Sequence, residues 1–124
     1  KNCMLFIKSQ EKKIIKILRS GEQVVVFPEG SRTLTGKLQS GEAGVGLIAA
    51  KSNAVIQPVR IFGAFKALPY GSGRLRFYPI TIVVGDPIRL TPEERKAKGR
   101  EAYQAISDRI MGEIAKIKQP SESW

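Results

Sequence analysis

The 124-residue sequence contains no histidine and a single cysteine, Cys3. Without imidazole, no Ser-His-Asp triad, no Cys-His dyad and no Cys2His2 zinc finger can be built from these residues. One thiol permits no internal disulfide, which favours a reducing compartment. Long apolar runs are lacking as well: nothing approaches the roughly 20 residues that span a bilayer, and the opening apolar stretch is too short for a secretory leader. Aromatic residues make up only 7% of the chain, with no aromatic-rich RNA-binding signature and no zinc or basic-zipper pattern, so specific nucleic-acid recognition is not expected.

Negative charge is the other scarcity, with 11 acidic residues against 21 Lys and Arg and a net charge of +10. The excess points to anionic partners: a phospholipid surface, phosphorylated substrates or, by charge alone, nucleic acid. Lys12, Lys13, Lys16, Arg32, Arg60, Arg74, Arg76, Lys96 and Arg100 are spread over both halves, which implies a broad basic surface rather than a basic tail. Hydrophobic residues at 42% suit one globular domain. The chain opens on Lys1 and runs at once into apolar sequence, so part of a longer domain is the expectation.

Periodicity orders the elements. Ile14, Ile15, Ile17 and Leu18 against Lys12, Lys13 and Lys16 predict an amphipathic helix over 11–18, stopped at Gly21. The continuous run of Val24, Val25, Val26 and Phe27 reads as a strand buried on both faces of a parallel sheet, one that needs neighbouring strands. A second helix is predicted over 42–52 with Asn53 as a left-handed cap. Its glycines, Gly44 and Gly46, each cost about 1 kcal/mol relative to Ala, tolerable where backbones pack closely. Residues 54–62 read as a strand interrupted by Pro58, hence an edge or a bulge, and 74–84 alternate as one or two further strands. Thr91, Pro92, Glu93 and Glu94 open a last helix, along which Tyr103, Ile106, Ile110, Ile114 and Ile117 form a stripe read as core in preference to a membrane face. The expected fold is α/β, a mixed, largely parallel sheet flanked by helices and incomplete at its N-terminal side. Residues 1–118 are read as the C-terminal part of a single domain, with a frayed tail over 119–124.

The chemistry concentrates where the first strand stops. Glu29, Gly30, Ser31, Arg32 and Thr33 follow Pro28 at the carboxyl end of that strand, where open α/β sheets bind ligands. Gly30 permits a turn whose N–H groups can cradle an anion, Ser31 and Thr33 add hydroxyls, and Arg32 offers a planar fork to a phosphate. Glu29 would repel phosphate and is read as orienting a substrate hydroxyl or a cation. A solvated turn with no ligand is the alternative that local chemistry leaves open.

The string Phe27, Pro28, Glu29, Gly30, Ser31, Arg32, Thr33 closely resembles the third motif of the glycerolipid acyltransferase family, and Ile56, Gln57, Pro58, Val59, Arg60, Ile61 resembles the fourth. The likeness runs over about 21–118 and implies a glycerol-3-phosphate acyltransferase-like fold. It implies transfer of an acyl group from a thioester, acyl-CoA or acyl-[acyl carrier protein], to a lysophospholipid such as 1-acylglycerol-3-phosphate, without cofactor or metal. Glu29, Gly30, Ser31 and Arg32 are implied to hold the substrate phosphate. Pro58 is implied on the acyl-donor side, beside its plain reading as a bulge. Lys8 is the nearest candidate for the basic residue of the second motif, in a stretch that also reads as the approach to the first helix. The family's catalytic His and Asp, four residues apart, have no counterpart here, so no catalytic residue is expected in this chain and it should bind without turnover. An anionic membrane surface is the expected partner, at the cytoplasmic face, by peripheral contact or through an anchor outside this chain. Arg74 and Arg76 could touch lipid head groups, or simply be solvated. A noncatalytic phosphate or anionic-lipid binding module is the competing reading.

Overall fold

Helical periodicity is obeyed wherever an apolar stripe has another stripe to meet. The computed structural model describes residues 2–30, 37–38, 40–67 and 77–120, with the backbone alone for 2–9 and for 65–66. Its elements are α1 (Asn2–Arg19), α2 (Ala43–Ser52), β1 (Val59–Phe62), α3 (Ala64–Ala67), β2 (Thr81–Val84), α4 (Pro92–Arg95) and α5 (Arg100–Lys116). The first helix therefore starts well before residue 11. It ends in a Schellman arrangement, in which Gly21 at φ +93° donates to the Leu18 carbonyl and Glu22 donates to that of Ile17. The second helix closes as its sequence implies, on Asn53 in the left-handed region with its N–H bound to the Ala49 carbonyl.

The core lies between α2 and α5. Ile106 and Ile110 are each 2% exposed, and Ala49, Ala50, Leu90, Met111 and Ile114 complete the cluster. The stripe on the last helix is therefore core. Backbones nearly touch at the crossing, where a Cβ placed on Gly46 would lie 1.9 Å from the Tyr103 carbonyl oxygen. That contact explains a glycine in mid-helix despite its cost in propensity. The single helix expected from Pro92 is in fact two. Thr91 and Glu94 form a capping box at the start of α4, the chain leaves the helix at Lys96, and α5 begins only after Gly99, held at φ +91°. A left-handed glycine cannot continue a right-handed helix, so the break falls there.

The sheet is where sequence and structure part. Among the described residues the one sheet has two strands, and they run antiparallel, with Val59 opposite Val84, Arg60 opposite Val83, Ile61 opposite Ile82 and Phe62 opposite Thr81. The largely parallel sheet of the sequence reading is thus not found among them. The expected doubly buried strand over 23–27 has no strand partner among the described residues, with Val25 85% and Phe27 71% exposed. A parallel strand is defined by neighbours that take its N–H and C=O groups, and no described strand lies beside these residues. Pro58 sits opposite a bulge rather than in one. Continuing the β1–β2 register would set Ile56 opposite Pro87, yet Ile56 pairs with Ile88, so the second strand holds one extra residue between Val84 and Ile88. The expected strand over 74–84 shrinks to Thr81–Val84 within what is described; Arg74 and Arg76 lie outside it, as does the tail over 121–124. No helix among the described residues is long and apolar enough to cross a membrane.

Candidate functional site

Phe27, Pro28, Glu29 and Gly30 form a tight turn closed by a 3.0 Å bond from the Gly30 N–H to the Phe27 carbonyl. Proline at the second position presets its φ, and Gly30 adopts φ +73°, a region that an L side chain enters only with strain. The turn is tied to α2, because the Pro28 carbonyl accepts a 2.8 Å bond from the N–H of Glu42, the N-cap residue. Glu42 also folds over the turn: a Cβ on Gly30 would lie 3.0 Å from its Cγ and 3.4 Å from its Oε1. The site thus stands at the amino end of α2, where the helix dipole presents partial positive charge.

The second tether comes from α5. The Gly41 carbonyl accepts a 2.9 Å bond from Gln104 Nε2, which also donates to Asp108 Oδ1 at 2.9 Å. Gly41 is buried so closely that an added Cβ would meet Ser107 Oγ at 2.3 Å and Met111 Cγ at 2.9 Å. Ser107 is 0% exposed, and among the described residues its hydroxyl has no hydrogen-bond partner. Positions 30 and 41 are therefore both held against the α2–α5 pair, at the two ends of the segment that carries Ser31 and Arg32.

The expected site residues are distributed as follows. Glu29 is half-buried in the turn beside Gly30, and together with Glu42 it makes the described part of the turn rich in carboxylate. Ser31, Arg32 and Thr33 lie outside the described residues. Lys8 is within α1, and its side chain is likewise not described. Pro58 is buried at the far end of α5: its carbonyl accepts from Gly85 N–H at 2.8 Å, and its Cγ would be 3.3 Å from a Cβ on Gly85, which also faces Ile117. From Ser107 to Ile117 is about 15 Å of helix, so the structure does not bring Pro58 to the turn. Arg60, next to it, donates from Nη1 to the Ala115 and Ile117 carbonyls at 3.0 and 2.9 Å and so caps α5. No three His, Cys, Asp or Glu side chains among the described residues are placed to hold a metal.

Sequence reasoning missed Glu42, Gly41, Gln104 and Ser107. Ser107 had a visible signal, since it falls on the apolar face one turn after Tyr103 and three residues before Ile110. Gly41 and Gln104 meet across 63 residues of sequence and Glu42 reaches back to Pro28 and Gly30 across a loop, contacts that no local pattern reveals.

Comparison with known proteins bears on the same segment. The acyltransferase family model matches residues 6–62, which include the turn, α2 and β1. A chloroplastic 1-acyl-sn-glycerol-3-phosphate acyltransferase of Arabidopsis thaliana is 33% identical over 78 residues, 62% of this chain and 22% of its own length. A chloroplastic enzyme of the same name from Brassica napus is 32% identical over 102 residues, 77% of this chain and 30% of its own. A 1-acyl-sn-glycerol-3-phosphate acyltransferase of Chlamydomonas reinhardtii is 35% identical over 69 residues, 55% of this chain and 21% of its own length. The chain thus spans less than a third of the length of these relatives. No solved structure matches it.

Proposed function

The chain belongs to the glycerolipid acyltransferase family, and from that membership we propose that it supplies the phosphate-holding part of an enzyme that acylates a lysophospholipid such as 1-acylglycerol-3-phosphate. The observation that carries this reading is the turn at residues 27–30, fixed by the Gly30 to Phe27 bond and by the Glu42 to Pro28 bond at the amino end of a helix. Backbone donors, the helix dipole and the Arg32 guanidinium then hold the phosphate, and Glu29 orients the glycerol moiety. In the reaction, the acceptor hydroxyl attacks the thioester carbonyl, the new C–O bond replaces the C–S bond, and the proton passes through a general base to the departing thiolate. None of the 124 residues is a histidine, so on this reading the base comes from outside them and the chain alone binds without turnover. The donor is acyl-CoA or acyl-[acyl carrier protein], and the acceptor is met at an anionic membrane surface.

The missing imidazole equally favours a second reading, a noncatalytic module that binds phosphate or anionic lipid. Titration of the chain with sn-glycerol 3-phosphate tests what the two share: Arg32→Ala is expected to weaken binding about ten- to hundredfold, as loss of a charge-assisted hydrogen bond does. Unchanged affinity would remove Arg32 from the site. Turnover separates the two: the complete native protein, supplied with lysophosphatidate and a radiolabelled acyl thioester, is expected to form labelled phosphatidate, and binding without product would select the noncatalytic module.

A further inference from the structure

Opposite the turn, at the carboxyl end of α2, four cations surround one cleft. Lys12, Ile15, Lys16 and Arg19 stand at i, i+3, i+4 and i+7 on α1, a single helical face, and with Lys51 they line a cleft of about 340 Å³. The wall is almost wholly apolar, as Ile15 and the aliphatic stems of the lysines supply, and no carboxylate lines it. Arg19 is locked at the rim, donating from Nε and Nη2 to the Lys51 carbonyl at 3.1 and 2.6 Å, which leaves Nη1 for a ligand. Among the described residues, Lys12, Lys16 and Lys51 enter no ion pair.

A purely structural account covers only part of this. The carbonyls ending α2 carry about half a negative elementary charge, which suits Arg19 and Lys51. Lys12 and Lys16 are left over, and like charges at i, i+4 destabilise the helix that bears them. An apolar trough rimmed by uncompensated cations matches an amphiphilic anion: the rim meets a phosphate, and the trough meets the carbons attached to it.

We propose that this cleft binds the phosphate headgroup of an anionic membrane lipid, with Lys12, Lys16, Arg19 and Lys51 around the phosphate and Ile15 against the glycerol and first acyl carbons. A free phosphate has no use for the apolar wall. Single-stranded nucleic acid would want aromatic rings for its bases, and none lines the cleft. The site is separate from the turn, since the helix from Glu42 to Lys51 sets them about 14 Å apart along its axis. It therefore does not rest on the proposed function.

Cosedimentation of the 124-residue chain with phosphatidylcholine vesicles containing phosphatidylglycerol tests it. The triple variant Lys12→Gln, Lys16→Gln, Lys51→Gln is expected to lose on the order of a hundredfold in affinity, since each near-surface lysine contributes several-fold. The control triple Lys96→Gln, Lys98→Gln, Lys118→Gln removes the same charge from exposed positions that do not line the cleft and is expected to lose far less. All six side chains are exposed, so both triples should keep the parent circular dichroism spectrum. Equal losses in the two triples would assign binding to net charge and overturn the site, as would no loss in the first. Inorganic phosphate at matched ionic strength should not displace the chain from vesicles; full displacement would make the cleft a free-anion site. Tighter binding to single-stranded RNA than to vesicles, lost in the same triple, would also overturn the lipid assignment. Arg32→Ala should change vesicle binding by no more than its one charge, which keeps this test distinct from that of the turn.

Discussion

Where α2 crosses α5, Gly46 presses against the Tyr103 carbonyl and Ile106, Ile110, Met111 and Ile114 are sealed from water. Where β1 meets β2, the directly opposed pairs Val59 with Val84 and Ile61 with Ile82 all face solvent, and the other face, carrying Arg60, Phe62, Thr81 and Val83, is only half-buried. Both regions contain the right residue types for their elements. The helices have a partner for the apolar face, and the strands have one for neither face in full. Stability should therefore be concentrated in the helical seam, because buried apolar area rather than apolar composition is what folding rewards. The turn at 27–30 is tied to that seam through Glu42 at the start of α2 and through Gly41, whose carbonyl is held by Gln104 of α5.

The sharpest way to break the contrast is at the crossing. Gly46→Ala improves helix propensity by about 1 kcal/mol. It also drives a methyl group to 1.9 Å from a backbone oxygen that no rotamer change can move. Overpacking typically costs about 1–3 kcal/mol, and a clash with backbone belongs at the upper end, so the clash wins and net destabilisation of about 2 kcal/mol is expected in urea unfolding. A variant as stable as the parent would mean that the helices do not touch there.

A smaller change of opposite sign tests the same seam beside the turn. Ser107 buries a hydroxyl without a partner among the described residues, an arrangement that costs about 1 kcal/mol or more relative to an apolar group of similar size. Ser107→Ala should therefore raise stability by about 1 kcal/mol, read as a higher melting temperature. It also removes the atom that a Cβ on Gly41 would strike at 2.3 Å, so Gly41→Ala should be better tolerated in the Ser107→Ala background than alone. Additive effects would show that Gly41 is not seated on Ser107.

What the sequence made legible follows the same division. Caps are local chemistry, and the bonds at Thr91, Glu94 and Asn53 are formed by the residues whose types announced them. Helix faces repeat within one turn, so the stripe through Ile106, Ile110 and Ile114 could be read directly. Strand pairing is long-range, and the run Val24, Val25, Val26, Phe27 states only that it would suit burial, not what is there to bury it. Gly99 was visible but was absorbed into a continuous pattern, because periodicity carries no sign of φ. At the site, Pro28 and Gly30 announced the turn by their conformational restrictions, whereas Glu42, Gly41 and Ser107 joined it through tertiary contacts. Arg32 and Ser31 lie outside the described residues, so the phosphate role given them rests on sequence resemblance.

The smallest effect is expected on the open sheet face. Thr keeps the β-branched shape that strands favour, so Ile61→Thr with Ile82→Thr should preserve the cross-strand pair while removing two exposed apolar groups. Were that face packed against anything in the folded chain, the double change would cost several kcal/mol, as substitutions in a core do. Since both side chains are exposed, stability should stay within about 0.5 kcal/mol of the parent. Light scattering supplies the second readout. An apolar strand face left in water drives association between copies, and the double variant should associate less at equal concentration. A large loss of stability with unchanged association would place a covering element over β1 and β2 and erase the contrast with the helical seam.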